Sequence, residues 1–212
     1  MTDFLPLFPL KLVAYPGEGL NLHIFEPRYK QLIREASQNK TTFGIPAYLD
    51  GKVMLYATEM KVLEIAKTHE DGEMDIKTQG VGIVEITEFF KTVPNKLYSG
   101  GDIKRMDFKS GAIDPIMNEV ILQQVEMLFS ILKIDKKIPK SKTNFSLYEL
   151  AHHVGFNVEQ EYEFLTIMDR GERQLYMKNH LEKMIPIVEE AERLRKRVEM
   201  NGHFKGEVPP AF

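Results

Sequence analysis

Within "LHIFEPRYKQLI", residues 22–33, a carboxylate, a guanidinium and a phenol stand almost side by side as Glu26, Arg28 and Tyr29. Two roles suit such a cluster. As a binding site, Glu26 and Arg28 would grip the backbone or charged side chains of a polypeptide. As a bracket, Glu26 would accept N–H groups at a helix start while Arg28 pairs with a neighbouring strand. A carboxylate beside a helix N-terminus is favourable by a few tenths to ~1 kcal/mol without any ligand. The bracket is the reading placed first.

Other chemistry is thinly represented. The chain has no G-x-x-x-x-G-K-[ST] phosphate loop, no G-x-S-x-G and no H-E-x-x-H. It has no cysteine, which removes thiol catalysis, disulfides and cysteine-ligated zinc. Six histidines are scattered at His23, His69, His152, His153, His180 and His203. The adjacent His152 and His153 would point to different faces of a helix. No metal, no cofactor and no enzymatic activity are expected.

Two basic runs raise the question of nucleic acid. "KIDKKIPKSK" holds five lysines between Lys133 and Lys142, and "RLRKR" spans Arg193 to Arg197. No aromatic residue is interleaved with either run, so platforms for base stacking are missing. The net charge of −3 gives no global attraction to phosphates. A solvated loop and a solvated helix face are expected. No apolar run approaches the ~20 residues of a membrane span. "MTDFLPLFPLKLVAYPG" lacks the basic start and cleavage site of a secretion signal. With 43% hydrophobic and 28% charged residues, the expectation is a globular cytoplasmic protein.

The elements that must position these residues fall into two halves. Leu20, Leu22 and Ile24, then Phe43, Ile45, Ala47 and Leu49, recur with the period of strands. Asp50-Gly51 signals a hairpin, and "THEDG" a second one between "KVLEIAK" and "EMDIKTQ". "VGIVEITEFF" and "KLYSGGDIKRMDF" read as further strands, with Pro94-Asn95 and Gly100-Gly101 as punctuation. Neighbouring Phe89 and Phe90 would face opposite sides of their strand. One helix interrupts this half: Pro27 suits its first position, and Tyr29, Leu32, Ile33 and Ala36 form its apolar stripe.

From Asp114 onward the period is helical. Asp114-Pro115, Ser146 with Glu149, Asn157 with Gln160 and Asp169 with Glu172 mark four helix starts. The last helix carries an apolar face from Met177 to Val198, with a kink expected at Pro186. That face needs cover from neighbouring helices or a second subunit in a homodimer, and compact packing is expected. The predicted organisation is α+β, with a barrel subdomain over residues 1–110 and a helical subdomain over 111–212.

"LPLFPL" at Leu5 to Leu10, Pro16-Gly17, and "FEPRY" at Phe25 to Tyr29 together resemble the opening of the Lon protease N-terminal domain. The resemblance implies a PUA-like β-barrel with one inserted helix, followed by a C-terminal helical bundle. It further implies a stand-alone substrate-binding domain protein without ATPase or protease modules. The function it implies is non-enzymatic binding of unfolded or client polypeptides, in an adaptor or chaperone-like role beside a protease or ATPase. The contacts expected for such a chain are Tyr15, Phe25, Glu26, Arg28, Tyr29, Phe89 and Phe90. RNA binding is the alternative, because PUA-like barrels also occur in RNA-modifying systems.

Overall fold

A computed structural model of the chain describes residues 3–139 and 145–202, with side chains given through residue 199. His203 and the lysine-run residues 140–142 lie outside the described residues. Two compact units are present. One comprises Met1–Ala112 with Ser146–Arg173, the other Ile113–Phe145 with Gln174–Phe212. Residues 146–173 thus group with the strands rather than with the other helices.

The first unit contains β1 (Asp3–Leu7), β2 (Gly19–Ile24), α1 (Pro27–Asn39), β3 (Thr42–Leu49), β4 (Lys52–Thr68), β5 (Met74–Phe90) and β6 (Ser99–Met106). The strands form one mixed sheet in the order β2-β5-β4-β3-β1-β6, and a further β5–β6 pairing returns the order on itself. Among the described strands, only β1 and β3 pair in parallel. "KVLEIAK" is the second half of one long strand, β4, and "EMDIKTQ" and "VGIVEITEFF", read as separate strands, belong to another, β5, of 17 residues each. Register shifts at Glu59/Met60, Val62/Glu64 and Ile65/Lys67 interrupt their ladder. Bulges of this kind bend a strand without ending it. They let β5 pair with β2 over its first half and with β6 over its second.

Turn chemistry is as the sequence requires. Asp50 and Gly51 take φ of 48° and 77°, the left-handed pair that a two-residue hairpin needs. Gly100 and Gly101 are not punctuation, however; they lie inside β6. A Cβ on Gly100 would stand 2.3 Å from the Phe4 ring, and one on Gly101 would stand 2.6 Å from the Glu88 carbonyl. Glycine is required there by close approach rather than by a turn.

The apolar stripe of α1 closes the larger core. Tyr29, Leu32, Ile33 and Ala36 pack with Phe8, Phe43, Ile45, Met60, Met74, Ile76 and Tyr98. Each fully buried side chain of this size contributes about 1.5–3 kcal/mol. A second cluster gathers Leu5, Leu7, Ala57, Val84, Ile86 and Ile103 from β1, β4, β5 and β6. Beside them sits Glu59, whose side chain is only 8% exposed. Arg105 donates to both its carboxylate oxygens at 2.9 Å, Thr42 donates at 2.6 Å, and Arg105 also reaches Asp3. Burial pushes the Glu59 carboxyl up, but these bonds outweigh it and the net direction is down. Two ion pairs and one hydrogen bond centred on Glu59 and Arg105 therefore tie β1, β3, β4 and β6.

The same unit includes α3 (Tyr148–Ala151) and α4 (Val158–Thr166). The foreseen box of Asn157 with Gln160 starts α4, each side chain bonding the other's backbone N–H. Tyr15 is fully buried here: its hydroxyl donates to the Glu161 carbonyl at 3.0 Å and its ring stacks on Tyr148. The Tyr162 hydroxyl accepts from the Tyr56 N–H of β4 at 3.0 Å. His152 bridges Glu161 at 2.6 Å and Glu18 at 3.3 Å.

In the second unit, α2 (Pro115–Leu132) starts with Asp114 accepting from the Ile116 N–H at 2.8 Å. α5 (Arg170–Gly202), whose first four residues belong to the first unit, is a single helix through Pro186. Gln174 binds Asn118 at 2.6 Å and both backbone groups of Asp114. The apolar face of α5 is buried at Met177, Leu181 and Ile185 but exposed at Leu194 and Val198, correcting the expected cover. Past Pro186 the sequence is dominated by charge. Arg193 pairs with Glu190, and Arg195 pairs with Glu192 and Glu199, supporting a solvated helix at i,i+3 and i,i+4 spacing.

His152 makes the strand unit sensitive to alkali. Burial lowers its pKa, but Glu161 and Glu18 outweigh that and raise it to about 9, above an ordinary 6.5. Its contribution is therefore complete below pH 6.5 and is lost as pH rises through 9. Its size is on the order of 1–2 kcal/mol. Thermal unfolding of His152→Ala should fall below the wild type at pH 6 and approach it at pH 10.

Candidate functional site

The cluster of Glu26, Arg28 and Tyr29 is built around a ring stack. Tyr29 lies against Phe8 with ring centres 3.8 Å apart, so it docks α1 onto the sheet. Burial raises its phenol pKa, with a smaller opposing influence from Arg28. Arg28 stands 4.4 Å from the Tyr29 ring centre and pairs with Glu26 at 2.7 Å. Glu26 does not cap the helix with its side chain; its carbonyl accepts from the Tyr29 and Lys30 N–H groups instead. The bracket reading is corrected in both parts. The carboxylate holds Arg28 rather than the helix N–H groups, and among the described residues Arg28 makes no hydrogen bond or ion pair to a strand. Two residues apart and half exposed, the two side chains reach each other before either reaches the sheet.

Arg28 and Tyr29 form one wall of a groove of about 680 Å³. Tyr48, Gly51, Lys52 and Val53 from the β3–β4 hairpin line it too, as do Phe89 and Lys91 at the end of β5 and Leu97 and Ser99 at the start of β6. Tyr48, Phe89 and Leu97 are 37%, 40% and 64% exposed, which is high for large apolar side chains. Lys52 and Lys91 are exposed, and among the described residues neither makes an ion pair. The groove therefore offers apolar and aromatic contact edged by cations.

α1 also positions Leu97. Gln31 accepts from the Leu97 N–H at 2.8 Å, and Glu35 accepts from Lys96 at 2.7 Å and from the Tyr98 hydroxyl at 2.5 Å. Lys96 and then Tyr98 hold the Glu35 carboxyl below the usual range. Burial, followed by Glu35, pushes the Tyr98 phenol up.

The groove gathers Arg28, Tyr29 and Phe89 from the predicted contacts. Glu26 adjoins through Arg28. Phe90 faces the opposite way and lines a smaller hollow of about 370 Å³ with Phe4 and Val93. Phe25 is 58% exposed but near His23, away from the groove. Tyr15 as an exposed contact is corrected by its burial among α3 and α4 side chains. Tyr48, Lys52, Lys91 and Leu97 escaped the sequence reading. Leu97, an apolar residue between Lys96 and the buried Tyr98 in a polar connection, was the available signal.

Residues 4–194 match the family model described as the ATP-dependent protease La (LON) substrate-binding domain. The chain belongs to this family. Its fold is similar to the crystal structure of a Lon N-terminal domain protein from Xanthomonas campestris, with TM-score 0.62 and 21% identity over 87% of this chain and 98% of that one. It is also similar to the N-terminal domain of Mycobacterium avium complex Lon protease, with TM-score 0.50 and 10% identity over 90% and 98%. No curated protein matches the chain significantly. The matched family is the substrate-binding module of Lon and not its protease or ATPase part. Among the described residues, no helix is long and apolar enough to cross a membrane.

In this LON substrate-binding domain the groove wall depends on Glu35. Glu35→Ala leaves the Tyr98 hydroxyl without its acceptor and should cost about 1–3 kcal/mol at pH 7. The folded carboxyl titrates below its unfolded value, so this contribution is present above an ordinary 4.5 and fades as pH falls below it. Melting curves of wild type and variant should differ by several degrees at pH 7 and draw closer as pH falls well below 4.5.

Proposed function

We propose that this domain is a non-enzymatic module that binds unfolded or client polypeptides along the groove between α1 and the β3–β4 hairpin. The observation that carries this reading is the groove's lining. Tyr48, Phe89 and Leu97 offer apolar contact to solvent, while Arg28, Lys52 and Lys91 supply cations around them. Aromatic anchors that desolvate on contact, within a polar rim, are the usual bearers of binding energy. A segment mixing apolar side chains with a carboxylate would suit this lining. Membership of the LON family supports the same class of ligand. The cycle of strand pairings supports a PUA-like barrel reading of the sheet, with the helical unit as its C-terminal companion. The partners we infer are client chains handled in an adaptor or chaperone-like role, beside a protease or ATPase.

RNA is the second reading, favoured by the same three cations and the exposed Tyr48. Salt separates the two. Phosphate-driven binding weakens steeply as salt rises, whereas apolar capture changes little. The test is fluorescence anisotropy with a labelled, permanently unfolded polypeptide and a labelled single-stranded RNA, at low and high salt. We expect the polypeptide to bind with little salt dependence, and Leu97→Asp to weaken it about tenfold at unchanged melting temperature. Steeply salt-dependent RNA binding with no polypeptide binding, or a Leu97→Asp variant that binds polypeptide as the wild type does, would overturn the proposal.

A further inference from the structure

Away from the groove, the fold unites two histidines that lie far apart in sequence. His23 in β2 stands directly opposite Asp75 in β5, an antiparallel register that puts both side chains on one face. His69 follows β4 in the tight connection to β5. Its N–H donates to the Glu73 carbonyl at 2.8 Å, and its own carbonyl accepts from Gly72 at 2.9 Å. Gly72, at φ +78°, makes that return possible. The two imidazole rings end 5.6 Å apart, so the reading of scattered histidines is corrected for this pair.

Asp75 sits between them. One of its oxygens lies 2.7 Å from His23 Nδ1 and the other 2.8 Å from His69 Nε2. The three ligating atoms lie within 4.8 Å of one another. We propose that His23, His69 and Asp75 form a binding site for a divalent transition-metal ion of the zinc class. Ligand bonds of about 2.0–2.2 Å in a tetrahedral site put donor atoms roughly 3.3–3.6 Å apart. The two histidine–aspartate contacts reach that spacing by opening less than about 1 Å, and the widest separation in the trio, within 4.8 Å, by closing no more than roughly 1.5 Å, which partly exposed side chains allow. Imidazole with carboxylate selects zinc, cobalt, nickel or copper over magnesium and calcium, which prefer all-oxygen sites.

A second observation supports the assignment. Glu73 lies 2.9 Å from the other nitrogen of His23, Nε2. A carboxylate there accepts a hydrogen bond from Nε2–H, so that a metal displacing the Nδ1 proton now shared with Asp75 would meet the Nδ1 lone pair, with Glu73 in the outer-sphere place found behind metal-binding histidines. Three protein ligands leave a fourth position for water or for a donor from a bound chain.

The test is calorimetric titration of zinc chloride into protein freed of any histidine tag, with magnesium as control and cobalt absorption as a spectroscopic readout. The expected result is one zinc per chain, a melting temperature that rises with zinc, and no response to magnesium. His69→Ala and Asp75→Asn should each weaken binding at least about tenfold, and Glu73→Gln about tenfold. His180→Ala should leave binding unchanged. Circular dichroism checks that each variant is folded. No saturable zinc binding below about 100 µM, or binding that His69→Ala and Asp75→Asn move less than about threefold, would overturn the site.

Discussion

Everything at the groove depends on how α1 is held against the sheet, and that rests on the stack of Tyr29 on Phe8. The two rings come from the two most distinctive stretches of the sequence, "FEPRY" and "LPLFPL". Their contact joins the start of α1 to the chain just after β1. Leu32, Ile33 and Ala36 continue the same face into the core. From the opposite side of the helix, Gln31 and Glu35 reach out to residues 96–98. One helix thus supplies part of the groove wall, anchors the loop that presents Leu97, and seals the larger core. Removing the Tyr29 ring would disturb all three, so the residue serves fold and site together.

The sheet contributes rigidity of a different kind. Its order returns on itself through β5, a 17-residue strand that pairs with β2, β4 and β6 and whose ladders with β4 and β6 are bent by bulges. Glu59 and Arg105 link strands that are not all neighbours, and the bidentate geometry makes their separation specific. The groove lies on a frame tied at several points, while its lining of Tyr48, Phe89, Leu97 and two lysines is free to meet a ligand. A rigid frame beneath exposed side chains is the general arrangement of binding sites on loops and turns.

What could be read from the chain was local. Helix starts at Asp114, Asn157 and Asp169, the Asp50-Gly51 turn and the stripe of α1 depend on residues within one or two turns of each other. What could not be read was long-range. The burial of Tyr15 depends on α3 and α4, more than 130 residues later. Gly100 and Gly101 look like a turn until Phe4 and Glu88 are seen to press on them. Glu26 looked like a helix cap because its competitor, Arg28, could equally have turned to a strand. The His23, His69 and Asp75 trio depends on strand register, which no spacing in the sequence displays. Of the predicted contacts, Arg28, Tyr29 and Phe89 meet at one groove because α1 and β5 do. Leu97 and Tyr48 were overlooked as single apolar residues among polar ones.

The central claim, that this groove receives foreign polypeptide, is tested most directly by amide chemical-shift mapping of the isotope-labelled protein with an unfolded chain. The account predicts shifts concentrated at Tyr29, Tyr48, Val53, Phe89 and Leu97, with the buried β1 and β6 core residues unmoved. Shifts confined to another face, or none at saturating ligand, would contradict it.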